Sequence, residues 1–219
     1  MDTTLRLFGA GGIMMIPLLI CSIFALAVVI EKLYALRARK VIAPAVVELV
    51  GSLRTNEDMT ALAGVCRRID TPFARVIRTG LENADLPRAE NVELIQSAAR
   101  HEVGSLERGL TILEIITGIS PLLGLLGTVL GMFHVFSVIV ESGVGEASTL
   151  SGGISEALLT TIVGLFIAIP SLVAHSYFSK RVDDLALEIE RHASSLVRKL
   201  YAAKPQARAA WVEKKEVAG

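Results

Sequence analysis

Two threonines, Thr128 and Thr161, raise the first chemical question. Each places a hydroxyl inside a long apolar run: GISPLLGLLGTVLGMFHVF at 118–136 and GISEALLTTIVGLFIAIPSLVAH at 153–175. Hydrocarbon cannot solvate a hydroxyl, so such a group either returns its proton to its own helix one turn back or serves a polar passenger. Read as helices crossing a membrane in opposite directions, the two runs put Thr128 about 12 residues and Thr161 about 9 residues from the same face, or roughly 18 and 13 Å. The hydroxyls are therefore expected at similar depth. Glu114, Thr117, Pro121, Leu125 and Thr128 recur at threes and fours, a thin polar seam along one face of the second run. Glu156 begins a comparable seam from the opposite end of the third, with Thr160 beside Thr161. The chemistry such a set can perform is the handling of an ion.

What the runs lack constrains that chemistry further. No Asp, Glu, Lys or Arg occupies the middle of any span, although proton relays across membranes normally rest on a protonatable group there. His134 and His175 are possible proton carriers, but each stands toward a span end beside Phe or Tyr and reads as interfacial packing ahead of proton transfer. If the threonines handle ions, the central carboxylate must come from a partner. Carboxylate plus threonine suits a proton or a sodium ion alike. The competing reading is a membrane scaffold whose threonines are bonded back to their own helices.

The glycines around these hydroxyls have a separate physical reason. In lipid, helices gain nothing from hydrophobic burial against one another, and small residues that let backbones approach become a main source of association. Gly127 and Gly131 form one small-xxx-small pair and Ser120 and Gly124 another; in the third run Gly153, Ala157 and Thr161, and Thr160, Gly164 and Ala168, form two more rows. These rows predict helix packing at Gly124, Gly127, Gly131, Ala157, Gly164 and Ala168.

The elements that must carry these residues follow from composition. Of 219 residues 52% are hydrophobic and the formal net charge is zero, with charges gathered between long uncharged runs, the pattern of a membrane protein. Three runs reach the roughly 18 to 25 residues needed to cross about 30 Å of hydrocarbon. The first ends on Glu31 and Lys32 without a small-residue cleavage pattern, so it reads as an anchor and not a removable signal. Lys32, Arg37, Arg39 and Lys40 follow the first span, Arg100 and Arg108 precede the second, and Lys180 and Arg181 follow the third; Arg6 alone lies on the other side, and the turn at 141–152 has no basic residue. The excess of basic residues marks the cytoplasmic side.

The expected organisation is a periplasmic N-terminus (1–12), a first span (13–30), a cytoplasmic helical region (31–109), a second span (110–140), a periplasmic turn (141–152), a third span (153–178), a cytoplasmic helix (179–203) and a flexible tail (204–219). GAGG at 9–12 reads as a flexible approach to the first span. In the cytoplasmic region Thr71-Pro72 predicts a helix start and Leu86-Pro87 a break. Val92, Ile95, Ala99, Val103, Leu106, Leu110 and Leu113 then keep helical spacing straight into the second span, which predicts one continuous helix from 88 to 140. Val182, Leu185, Ile189, Ala193, Leu196 and Leu200 extend the third span in the same way. Neither stripe can be satisfied by solvent, so an all-α integral membrane protein with three transmembrane helices, the second and third extended into a cytoplasmic helical bundle that oligomerises, is expected. Cys21 and Cys66 offer no disulfide framework and read as packing residues. No metal-ligand cluster, catalytic triad or phosphate loop is present in the sequence, so no enzyme activity, cofactor, metal or nucleic-acid partner is expected.

With GGIMMIPLLICSIFALAVVIEKLY before them, the two runs quoted above resemble, in order, the three spans of the MotA/TolQ/ExbB proton-channel family, closest to its ExbB and TolQ branch. LLGLLGTVLGM and ISEALLTTIVGLFIAIP are the specific motifs. The resemblance implies a homopentamer in a bacterial inner membrane around a dimer of an ExbD- or TolR-type single-span protein, whose aspartate takes the proton. Motion of that partner would act on an outer-membrane system through a TonB- or TolA-type protein, in nutrient uptake and biopolymer transport or in envelope maintenance. By the same resemblance Thr128, Thr161 and Glu156 match the polar positions of the second- and third-span motifs and Pro170 the proline that closes the third; Pro121, Thr117 and Glu114, from the polar seam, are expected to line the pore with them. Thr160 stands where the family often has alanine, so both it and Thr161 are candidates for the pore-facing hydroxyl.

Overall fold

The computed structural model of the protein describes residues 12–54, 56–142 and 147–202. Outside the described residues lie Arg6 and most of the 9–12 glycine stretch, the middle of the 141–152 turn, and the tail. Among the described residues there are eight helices and no strand: α1 Met15–Ala35, α2 Ala38–Val41, α3 Pro44–Ser52, α4 Asn56–Arg68, α5 Pro72–Glu82, α6 Arg88–Glu107, α7 Leu110–Ser142 and α8 Ala147–Ala202. The chain forms two compact units, Met1–Lys32 with Gly109–Phe178, and Leu33–Arg108 with Ser179–Gly219.

The first unit holds the three helices that are long and apolar enough to cross a membrane, α1, α7 and the apolar part of α8. Their outward faces are as greasy as their contacts: Phe133 is 72% exposed and Phe166 77%. A helix apolar all round needs lipid or further helices around it. Pro121 and Pro170 lie inside α7 and α8, which continue through them. Each proline removes one backbone donor, a loss tolerated in lipid where neighbouring groups re-satisfy the freed carbonyl. Thr117 and Ser171 turn their hydroxyls to carbonyls of their own helices, Leu113 O at 2.8 Å and Ile167 O at 2.8 Å.

The expected continuous helix from 88 to 140 is interrupted. α6 ends at Glu107, Arg108 is extended at φ −51° and ψ 133°, and α7 starts at Leu110. Gly109 between them has φ +89°, a left-handed conformation that any side chain would strain. A Cβ there would lie 3.4 Å from Cε of Lys32, whose side chain is buried against it. The apolar period runs through this point undisturbed, which is why periodicity alone joins the two helices. The third span does continue, through α8 to Ala202.

The second unit is built on local signals. Thr71 caps α5 by accepting a hydrogen bond from the Ala74 N–H at 3.2 Å, with Pro72 in the first turn, satisfying one of the donors left open at a helix start. Phe73, Ile77 and Leu81 of α5 and Leu185, Ile189, Leu196 and Leu200 of α8 are fully buried. Gly80 allows α5 to approach α6 and α8, since a Cβ there would meet Ile95 Cδ1 at 2.8 Å and Leu196 Cδ2 at 3.1 Å. Arg75 donates to Glu102 from Nε at 2.7 Å and Nη2 at 2.6 Å, and Nη1 reaches Asp70 at 2.7 Å. These bonds, those to Glu102 foremost, raise the affinity of the guanidinium for its proton. Lys199 caps α3, donating to the Val50 carbonyl at 2.9 Å and to that of Gly51, where exposed carbonyls favour a cation. Cys66 is buried, and that burial raises its thiol pKa to about 11 despite Arg78 nearby.

Candidate functional site

The second and third spans meet backbone to backbone. A Cβ on Gly124 would lie 2.9 Å from the Thr160 carbonyl, one on Gly131 2.8 Å from Ala157 Cβ, and one on Gly164 2.5 Å from the Ser120 carbonyl. A Cβ on Gly127 would sit 2.5 Å from Thr160 Oγ1. No side chain larger than hydrogen fits at these four positions, so α7 and the apolar part of α8 come closer than ordinary helices can. Ala157 and Ala168 are buried on the same face of α8.

That close approach brings three hydroxyls together. Thr128 Oγ1 lies 3.0 Å from the Ala157 carbonyl, across the helix pair, and 3.3 Å from the Gly124 carbonyl of its own helix. It also contacts Thr161 Oγ1, which donates to the Gly124 carbonyl at 2.9 Å. Thr160 Oγ1 donates to Ala157 O at 2.7 Å and lies 3.3 Å from Gly124 O. Two carbonyls thus face three hydroxyls, each with a single proton to give. The donors can be redistributed by hydroxyl rotation without moving a heavy atom. Such a cluster can pass a proton along or solvate a dehydrated cation. The three hydroxyls differ in access: Thr160 is 2% exposed, locked between the helices, while Thr128 and Thr161 are half-buried.

The remaining residues of the seam lie apart from this cluster. Glu114 is exposed near the start of α7, 14 residues from Thr128 and so about 21 Å along the helix. Thr117 is satisfied by its own helix, and Pro121 is half-buried one turn on. Glu156 stands one turn from Thr160 and lines a half-open cavity of about 180 Å³ together with Thr160, His134, Gly131, Gly127 and residues 12–14. His134, read from sequence as interfacial packing ahead of proton transfer, lines this cavity as well. The signal for it was present, because Gly127, Gly131 and His134 fall at i, i+4 and i+7 on one helical face. Gly12, at φ +61°, brings its backbone against the Glu156 carboxylate. Ser120 was visible only as a packing residue, yet its buried Oγ has no hydrogen-bond partner among the described residues. Among the described residues no three His, Cys, Asp or Glu side chains converge as metal ligands.

Fold and site together define an all-α membrane protein in which two glycine-apposed spans share a hydroxyl cluster, with the Glu156 carboxylate one helical turn from it. The chain belongs to the MotA/TolQ/ExbB proton channel family, whose model matches residues 68–191, from α4 through the hydroxyl cluster into the later turns of α8. It is similar to the biopolymer transport protein ExbB-like 3 of Synechocystis, 35% identical over 171 residues that cover 77% of this chain and 81% of that one. It is also similar to the biopolymer transport protein ExbB of Neisseria gonorrhoeae, at 27% over 199 residues covering 84% and 89%. The Tol-Pal system protein TolQ of Haemophilus influenzae is 33% identical over 114 residues, half of each chain. These relatives place the chain in the ExbB and TolQ branch.

Proposed function

We propose that this chain is the multispan subunit of a proton-driven motor of the bacterial inner membrane, with its N-terminus periplasmic and its C-terminus cytoplasmic, acting through no enzyme activity of its own. Five copies would surround a dimer of an ExbD/TolR-type single-span protein that carries the proton on an aspartate. The observation that carries this reading is the Thr128–Thr160–Thr161 cluster. Three hydroxyls converge on two carbonyls, with no acidic or basic side chain among them, so a carboxylate brought by a partner would find polar contacts and a desolvated proton a path. The exposed apolar faces of α1, α7 and α8 supply the surface on which copies can associate, and the second unit would be the cytoplasmic helical bundle. An ExbB-type role in TonB-dependent uptake is favoured over a TolQ-type envelope role by the ExbB-named relatives of Synechocystis and Neisseria gonorrhoeae, matched over 77% and 84% of this chain against 51% for TolQ.

A structural scaffold is the second reading, and the interhelical bond from Thr128 to the Ala157 carbonyl favours it, because polar side chains also serve as glue between membrane helices. Reconstitution separates the two. Purified with an ExbD/TolR-type single-span protein and placed in liposomes, the complex should take up protons down an imposed gradient, and replacing the partner's aspartate with asparagine should stop it. A stable complex with no aspartate-dependent uptake would leave the scaffold.

A further inference from the structure

Between the hydroxyl cluster and the outer end of the spans lies the half-open cavity of about 180 Å³, with room for several water molecules. α7 contributes His134, the third span contributes Glu156 and Thr160, and the approach to α1 closes the remaining side. Its two titratable lining groups are His134 and Glu156; Gly12, Ile13 and Met14 bring none. The approach to α1 is fitted to the carboxylate, since a Cβ on Gly12 would overlap Glu156 Oε1. At its inner end the cavity reaches Thr160, whose hydroxyl shares the Gly124 carbonyl with Thr128 and Thr161. Thr160 is thus the residue that the cavity shares with the cluster.

Resting on the motor reading above, we infer that His134 is a proton-relay group, which takes protons from the outer solution and delivers them through the cavity to Glu156. Imidazole is the side chain that changes charge between about pH 5 and about pH 8 and can both accept and donate a proton there. A proton on the imidazolium passes to the Glu156 carboxylate, leaving a neutral imidazole and a neutral carboxylic acid, and the imidazole takes its next proton from outer water. No electron is transferred and no other reactant is needed. Glu156 then faces Thr160 one helical turn inward, at the edge of the cluster. A histidine that merely packed at the membrane interface would not need to share a cavity with a carboxylate and with a member of the hydroxyl cluster.

The test uses the complete complex with its single-span partner in liposomes, with proton uptake measured as the pH on the His134 side is varied from about 5.5 to about 8.5, a window that spans the range of imidazole. The wild-type rate should fall through an inflection in that range. His134→Gln keeps hydrogen-bonding capacity and removes titration; it should remove the inflection and slow uptake roughly tenfold or more at the acid end, the scale of a lost acid–base group. His134→Ala should be slowed likewise and regain rate when millimolar imidazole is added on that side, a rescue that a structural role would not produce. An unchanged pH profile in His134→Gln, or no imidazole rescue of a folded, partner-bound His134→Ala complex, overturns the relay while leaving the motor reading intact. If the wild-type complex shows no uptake that depends on the partner's aspartate, the motor reading fails and the relay fails with it.

Discussion

Replacing Thr128 or Thr161 by valine separates ion handling from helix adhesion, because the structure sets how much of each is lost. Valine exchanges the hydroxyl for a methyl of nearly the same volume. In Thr128→Val the bond to the Ala157 carbonyl at 3.0 Å disappears, but that carbonyl keeps the Thr160 hydroxyl at 2.7 Å. In Thr161→Val the Gly124 carbonyl loses its donor at 2.9 Å and keeps Thr128 and Thr160 within 3.3 Å. Neither change leaves a bare acceptor, so the loss in helix association is that of an average membrane hydrogen bond, about 0.6 kcal/mol. Transport should suffer more. A hydrogen bond to a charged group contributes about 1.5 to 3 kcal/mol, and if this falls on the barrier the rate drops roughly ten- to a hundredfold. Thr160→Val should be milder, since its buried hydroxyl is already satisfied by its own helix. The assay is aspartate-dependent proton uptake in liposomes, alongside capture of the partner and thermal denaturation in detergent. Assembly should survive in all three variants while uptake fails in the first two. Full uptake in both Thr128→Val and Thr161→Val would refute the assignment and leave the cluster as structural glue.

Other outcomes follow from packing and charge. Gly164→Ala and Gly131→Leu should each destabilise the spans by about 1 to 3 kcal/mol or more, read as lower melting temperatures in detergent, because they drive carbon into the Ser120 carbonyl and Ala157; Gly152→Ala, which meets nothing within 4 Å, should be tolerated. Glu102→Gln should lower the melting temperature by loss of the paired bonds from Arg75, about 1.5 to 3 kcal/mol. Cys66 should resist alkylation in the folded protein at pH 8. Its pKa is raised from 9.0 to about 11, which leaves about a hundredfold less thiolate than in the unfolded chain; the linked stability is fully present below pH 9.0 and is lost as pH rises through about 11. In a background without Cys21 and Cys66, cysteine at Ser148 should react with an impermeant thiol reagent on cells with a permeabilised outer membrane, and cysteine at Ser52 should not; the reverse pattern would invert the topology.

Much of this architecture is local and therefore legible in the chain. Three uncharged runs of membrane-spanning length, the Thr71-Pro72 cap and the stripe from Val182 to Leu200 each depend on a residue and its neighbours within a few turns, as do the small-residue rows that announce close packing. The break at Gly109 is different: helical spacing runs through it, and only the backbone's left-handed turn, packed against Lys32, interrupts the helix. The neighbour of each glycine was equally invisible. Gly131 meets Ala157 of its own chain, while Gly124 and Gly127 meet Thr160, which is buried between the helices where Thr128 and Thr161 stay half-buried. His134, Glu156 and Gly12 share a cavity although 144 positions separate Gly12 from Glu156, and their meeting depends on the rotation and register of three helices. Hydropathy adds up along the chain and so can be read from it, whereas rotation and register are set by which small residues meet across a helix pair, and that is decided only when the helices pack.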